Sequence, residues 1–574
     1  MRLNNKAVVG VYLVASASAA QITKNLSKSA QDLFQWSMHI NDIRWDDSYK
    51  YIWYSDHGPW STRFTAWYAA GLLYRNQGDD LSNAKSAIEN IISCQMTESY
   101  ESAWYGTFKV SPDEPYPTPD SDLYPPEIYV RTDPPLKRFL RENLESILLT
   151  GLKTTYDPNW REFIGTQLVQ IVEEFSELIG SRLVTQIEES LEIAAIGSMR
   201  RNGSYPEGDN LTPGYSNPAL MRAWYIAWLG HRRDNDTLIN YADEQAETIL
   251  KLFKSTGSDV LSEYNAPTYY GMDMWALAGA IKYGPPSSAI TKNSKVILKD
   301  LWSDIATHYN PYLSVMAGPY DRAYTRDMVT NSAVIDYFWW GLYGYGTGPQ
   351  PNQLESDLLF DVSQGAALAL IMDVVAEHIS DEDNKWLKAK GNWNGERMIT
   401  KKIPDALGDD SEIRIATTWM SASLMVGAQQ VNETINRGEQ YVPSIVQWAG
   451  DKDHKPHPYM SFFSLYPTAS TINAVAGPNT LEVSYPNTTQ DGTGIFTFVL
   501  AQLPPSWTLT KKKVVRGLED LPCLSVNVNA KGLERLPVIY GASVEDNRVY
   551  NVSFAVPSGF SGTPKISFEF NYTC

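Results

Sequence analysis

The chain changes its hydrophobic period once, and that change limits its fold more than any single motif does. From about Ser29 to Ile379 apolar residues recur at helical spacing, in segments such as "WREFIGTQLVQIVEEFSELIG", "NPALMRAWYIAWLGHR" and "SDLLFDVSQGAALALIMDVVAEHI". After about Asp410 they alternate with polar residues, as in "TLEVSYP", "GIFTFVLAQ" and "KISFEFNYTC", between Gly, Pro and Asn turns. A chain of 574 residues is too long for one ordinary core. Two domains are therefore expected, a helical one over 21–410 and an antiparallel β-sandwich over 411–574. Several of the roughly dozen helices expected are apolar nearly all round, whereas their chain neighbours are amphipathic. That alternation suits the inner and outer helices of an α/α toroid, whose inner ring is covered on both sides.

Polar runs that switch abruptly to apolar helix recur along the first domain: "YPEGDNLTPGYSNPALMRAW" around Asn210, "LSEYNAPTYYGMDMWALA" around Asn265 and "GPYDRAYTRDMVTNSAVIDYFWWG" around Tyr324. Consecutive centres lie 55 and 59 residues apart (265 minus 210, 324 minus 265), the length of two helices with their connections. Each junction then opens an inner helix, and the three loops meet at one end of the toroid. Helix N-termini carry unpaired N–H groups and the positive end of the dipole, so this end favours anionic ligands. The proline-rich stretch from Ser111 to Pro135 reads as a solvated connector or as a lid over that end.

The first residues, "MRLNNKAVVGVYLVASASAAQ", combine a charged start, a short apolar run and small residues, the pattern of a secretory signal over 1–20. The run is shorter than the ~20 residues that a membrane span needs, and no membrane association is expected. Eight Asn-x-Ser/Thr sequons follow, at Asn25, Asn202, Asn210, Asn235, Asn432, Asn487, Asn551 and Asn571, in keeping with a secreted glycoprotein. Glycans on Asn202 or Asn210 would argue against a tight cleft there. Of three cysteines, Cys523 and Cys574 share the C-terminal region, where a disulfide could tie down the chain end, and Cys94 reads as a buried thiol. Acidic residues number 66 against 48 basic ones; loss of Arg2 and Lys6 with the signal leaves 46 minus 66, a net −20. Nucleic acid is not an expected partner.

Neither a His-Glu-x-x-His helix, nor a phosphate-cradling Gly loop, nor a Gly-x-Ser-x-Gly elbow occurs. The histidines of "DKDHKPHPYM", His454 and His457, read as an exposed turn and His308 as a further candidate; no metal site or cofactor is expected. A helical toroid followed by a β-sandwich, with Asn, Tyr, His and Arg in its loops, resembles the (α/α)-toroid polysaccharide lyases, the heparinase II/III-like, alginate-lyase and hyaluronate-lyase groups. The stretch "SEYNAPTYYG" is also similar to uncharacterised secreted fungal proteins. The resemblance implies a mainly α fold, an incomplete or complete (α/α)6 toroid with a C-terminal β-sandwich, and β-elimination at a uronate. That reaction needs a group to neutralise the carboxylate, a base for the α-proton and an acid for the leaving oxygen. Asn265 suits the first role, because a neutral amide donates to a carboxylate without burying a charge. Tyr269, Tyr270 or Tyr324 could act as base or acid if a cation such as Arg322 or Arg326 stands near; those arginines could instead pair with Asp321 and Asp327 on a surface. His57, ahead of another apolar helix, is a further catalytic candidate, with Trp60 and Arg63 placed to hold a sugar by stacking and bidentate bonds.

Two other readings stay open. Glu207, Asp209, Glu263 and Asp273 could serve a glycoside hydrolase on the same toroid, and Glu263 could equally be a cap or ion-pair residue. Trp339 and Trp340 could shape the pocket of a dehydratase or cyclase acting on a small secondary metabolite, stack on sugars, or simply fill the core. The sequence reading is a secreted, polysaccharide-degrading enzyme, a lyase ahead of a hydrolase, with a polysaccharide or other small molecule as its partner.

Overall fold

The computed structural model describes residues 26–54, 59–98, 100–114, 157–205, 209–323, 333–349, 361–389, 391, 393–431, 441–455, 457–469, 471–486, 494–544 and 547–574. A single helix, α1 (Lys28–Arg44), opens the fold. Among the described residues four pairs follow: α2 (Thr62–Arg75) with α3 (Asp80–Ser93), α4 (Trp160–Ile179) with α5 (Ser181–Met199), α6 (Ser216–Arg232) with α7 (Asp236–Lys254), and α8 (Tyr270–Tyr283) with α9 (Ala289–His308). Helices α10 (Ala333–Tyr343) and α11 (Val362–Ala369) come after them. Helix α2 packs on α4, α4 on α6, α6 on α8, α8 on α10, α10 on α11, and α11 back on α2. Among the described residues these six form a closed inner ring. Helices α3, α5, α7 and α9 each return along the outside of their partner, and α1 covers α10 and α11.

Burial separates the two layers as the sequence pattern requires. In α8, 12 of 14 residues are buried, including both tyrosine ends. In α7, only Leu238, Ala242, Ala246, Ile249, Leu252 and Phe253 are buried along 19 residues, one stripe of an amphipathic helix. Asn235 caps the start of α7 by accepting from the N–H groups of Thr237 and Leu238. Close approach inside the ring depends on glycine. A Cβ on Gly279 of α8 would lie 2.2 Å from the ring of Trp224 on α6.

The C-terminal domain is two stacked antiparallel sheets. The larger contains, in spatial order and reading from one edge, β1 (Glu396–Ile403), β2 (Arg414–Ser421), β3 (Leu424–Gln429), β4 (Ser444–Asp451), β5 (Tyr459–Tyr466), β8 (Ile495–Ala501) and β10 (Asn547–Ala555). The smaller contains β6 (Asn473–Gly477), β7 (Thr480–Ser484), β11 (Lys565–Tyr572) and β9 (Leu524–Asn529). The central strands of the larger sheet are buried on both faces. In β4, Ile445 and Ala449 join the toroid's core while Val446 and Trp448 join the core between the sheets. Within that second core Val446 stands opposite Phe463 of β5. The sheet begins at Glu396, upstream of the boundary expected at 411. Strand β1 sits at the sheet's edge with only Ile399 and Ile403 buried, so it lacks the apolar alternation that marks the later strands. Cys523 and Cys574 are joined by a disulfide, and Cys94 is a free, buried thiol within 3.1 Å of the Tyr51 hydroxyl.

Candidate active site

Each inner helix that is followed by an outer one starts at the same end of the ring, so its N-cap residue lies there. Asn159, Tyr215 and Tyr269 are the N-caps of α4, α6 and α8. In none of the three does the N-cap residue's own side chain accept from the first N–H groups of its helix, in contrast to α7. Tyr215 and Tyr269 occupy the same place in successive repeats, and their rings stack with centroids 5.9 Å apart and 23° between planes. The guanidinium of Arg322 lies over both, 5.5 Å from the Tyr215 ring and 5.2 Å from the Tyr269 ring. All three are only half-buried.

Beneath this open layer the polar groups are paired. Arg322 Nε donates to Glu263 Oε1 at 2.7 Å, and Glu263 Oε2 accepts from the backbone N–H and the hydroxyl of Ser216, both at 3.1 Å. Burial raises the Glu263 carboxyl above its usual range, and Arg322 and Ser216 pull it back. Asp273, wholly buried on the first turn of α8, is pushed well above the carboxylate range by desolvation, with the Glu263 charge adding to the shift and Ser216 opposing it. On the other side of Tyr215, Asn159 Nδ2 donates to the phenolic oxygen at 3.4 Å, and Arg201 donates to Asn159 Oδ1 at 2.9 Å and to Asp209 Oδ1 at 2.6 Å. One continuous set of contacts thus runs Asp209–Arg201–Asn159–Tyr215–Tyr269–Arg322–Glu263 along three neighbouring helix mouths.

The expected residues fall into distinct groups. Tyr269, Arg322, Glu263 and Asp209 belong to this path. Asn265 and Tyr270 do not fit the roles expected of them. Asn265 is fully buried in the left-handed region (φ 47°), and its amide nitrogen donates to the carbonyls of Ala317 and Pro319, each at 2.8 Å. Its own N–H donates to the Tyr270 hydroxyl at 2.6 Å, and burial holds that phenol well above its ordinary pKa. An amide already spent on two carbonyls cannot neutralise a substrate carboxylate. Next to this pair, the Tyr264 hydroxyl and His308 Nε2 lie 2.7 Å apart, while His308 Nδ1 lies 2.8 Å from the carbonyl of Asp304, so His308 is a buried structural group. Burial lowers its pKa.

Trp60 and Arg63 lie at the start of α2, outside the hydrogen-bonded path. Trp60 Nε1 donates to Asp46 at 3.1 Å and its ring packs 4.1 Å from that of Tyr49, while the Arg63 guanidinium sits 3.7 Å over Phe163 of α4. Trp339 and Trp340 pack in the core, against Trp302 and Tyr309 and against Trp36. His57, Glu207, Tyr324 and Arg326, and most of the proline-rich stretch, lie outside the described residues. Tyr215, Ser216, Asn159 and Arg201 were not anticipated as site residues. The missed signal is positional: aligning the two helix starts sets Tyr215 of "GYSNPAL" against Tyr269 of "TYYGMDM".

A family model described as "Domain of unknown function (DUF8769)" matches residues 31–150 and 145–374, and a second, "Domain of unknown function (DUF8770)", matches residues 395–571. No curated protein matches the sequence. Among solved structures, the fold is similar to heparinase III (TM-score 0.41, 10% identity, 99% of this chain and 89% of that one). It is also similar to the Streptomyces coelicolor A3 chondroitin AC lyase in complex with chondroitin sulphate (TM-score 0.38, 8% identity, 97% and 80%). A third is the endoglucanase CelQ from Clostridium thermocellum complexed with cellotetraose (TM-score 0.27, 10% identity, 95% and 93%).

Proposed function

The chain belongs to the DUF8769 family, and on that premise we propose that it is a secreted polysaccharide-degrading enzyme that cleaves a uronate-containing glycan by β-elimination. The observation that carries this reading is the arginine laid over two half-buried tyrosines at neighbouring helix mouths. Elimination at a uronate removes the proton α to the carboxylate and expels the glycosidic oxygen from the adjacent carbon, leaving a conjugated double bond. Negative charge builds up on the carboxylate side as the proton leaves. A guanidinium placed on that side stabilises it. In this account Arg322 binds the uronate carboxylate, Tyr269 takes the α-proton and Tyr215 meets the leaving oxygen. Glu263 holds Arg322 in place from below.

Among the described residues, the carboxylates point away from a paired-acid hydrolase; Glu207 lies outside them. Asp209 is committed to Arg201, Glu263 to Arg322 and Ser216, and Asp273 is wholly buried, so none is presented to a glycosidic oxygen. The discriminating experiment follows ultraviolet absorbance and reducing ends together on a panel of uronate polysaccharides. Elimination raises both signals. New reducing ends without absorbance would replace this reading with hydrolysis.

A further inference from the structure

We propose that Arg414, a residue of the C-terminal sheet, is a positioning residue that sets the Glu263–Arg322 pair and so makes the second domain part of the reaction site. This inference rests on the role given to Arg322 above. Arg414 opens β2 and is buried, yet it reaches across to two segments of the toroid. Its Nη2 donates to the carbonyl of Ser262 at 2.8 Å and to Asp321 Oδ2 at 2.9 Å, and its Nη1 reaches Asp321 Oδ1 at 3.2 Å. Ser262 immediately precedes Glu263, and Asp321 immediately precedes Arg322. A single guanidinium therefore grips both segments that carry the ion pair, one residue away on each side.

The rest of the clamp repeats this arrangement. Gln429 of β3 accepts from Arg414 at 2.7 Å and donates to Asp321 Oδ1 at 2.8 Å. The N–H of Tyr264 donates to Asp321 Oδ2 at 2.9 Å, and the N–H of Asp321 returns a bond to the Tyr264 carbonyl at 3.0 Å. Tyr320 and Asp321 also pair as a short strand with Val442 and Tyr441. Arg322 itself has φ 52°, a left-handed turn that sends its side chain off a segment held on both edges. A planar fork fixes distance and angle at once, which a lysine cannot reproduce.

The test is a double-mutant cycle in the full chain. Arg414→Lys should cut kcat/KM for unsaturated-product formation by about 100-fold, the scale of a misplaced catalytic group. In an Arg322→Ala background the same change should cost less than about threefold, because nothing remains to be positioned. Equal losses in both backgrounds would overturn the proposal and leave Arg414 a structural residue. Crystal structures of Arg414→Lys give a readout independent of activity: the Glu263–Arg322 contact should open, and a contact retained at its present length would also overturn it. If the parent forms no unsaturated product from any uronate glycan while the contact opens, the lyase reading fails and the clamp stands. Should Arg414→Lys not fold, Gln429→Ala weakens the same clamp and is held to the same outcomes.

Discussion

Tyr269 and Tyr270 are neighbours in sequence with opposite surroundings, and so are the two polar layers to which they belong. The upper layer, Tyr215, Tyr269 and Arg322, is half-buried and built from ring and guanidinium faces. The lower layer, Tyr264, Asn265, Tyr270 and His308, is fully buried and closed by hydrogen bonds among its own members and nearby carbonyls. Helix geometry explains the split. Tyr269 is the N-cap and stays half-buried at the mouth, whereas Tyr270 is the first helical residue and is wholly buried, its hydroxyl accepting from the Asn265 N–H. Polar residues at a helix mouth therefore divide into a half-buried layer, to which the proposed reaction is assigned, and a buried layer that holds the mouth's shape.

The sharpest way to break this division is Arg322→Ala, expected to lower kcat/KM by about a thousandfold or more with folding retained. Near-normal rates in a folded variant would remove the upper layer from the chemistry. Asn265→Ala should act in the opposite manner. Two buried carbonyls lose their donors, so stability falls by about 2–4 kcal/mol in denaturant titration, while kcat/KM per folded molecule stays within about threefold. Tyr270→Phe, which leaves the Asn265 N–H without its acceptor, should cost about 1–2 kcal/mol and likewise spare the rate. A rate collapse in either would return these residues to the reaction.

The smallest effect sharpens the boundary between the layers. The Asp273 carboxyl titrates higher folded than unfolded, so its contribution to stability is full below the unfolded pKa and is lost as pH rises toward the folded value. Asp273→Asn removes that loss. Its melting temperature should exceed the parent's by a few degrees at about pH 7 and match it near about pH 4. An unchanged difference across that range would mean that Asp273 carries its charge in the fold.

The architecture was largely legible in the sequence because periodicity reports burial directly. Helices buried all round lie in the inner ring and striped ones outside it, as α8 and α7 show. The junctions that open α6 and α8 were legible as neighbouring loops, but the choice between Tyr269 and Tyr270 was not, since one residue of helical phase decides it. Strand β1 escaped notice because an edge strand with Lys401 and Lys402 shows little alternation. The Arg414–Asp321 contact spans 93 residues and two domains, and no local pattern announces it.

The measurement that bears most directly on the two-layer account is the initial rate of absorbance rise on uronate polysaccharides for the parent, Tyr269→Phe and Tyr270→Phe side by side. The account predicts a rising signal for the parent, a loss of about 100-fold or more in Tyr269→Phe, and a rate within about threefold of the parent in Tyr270→Phe. An inactive Tyr270→Phe beside an active Tyr269→Phe, both folded, would contradict it.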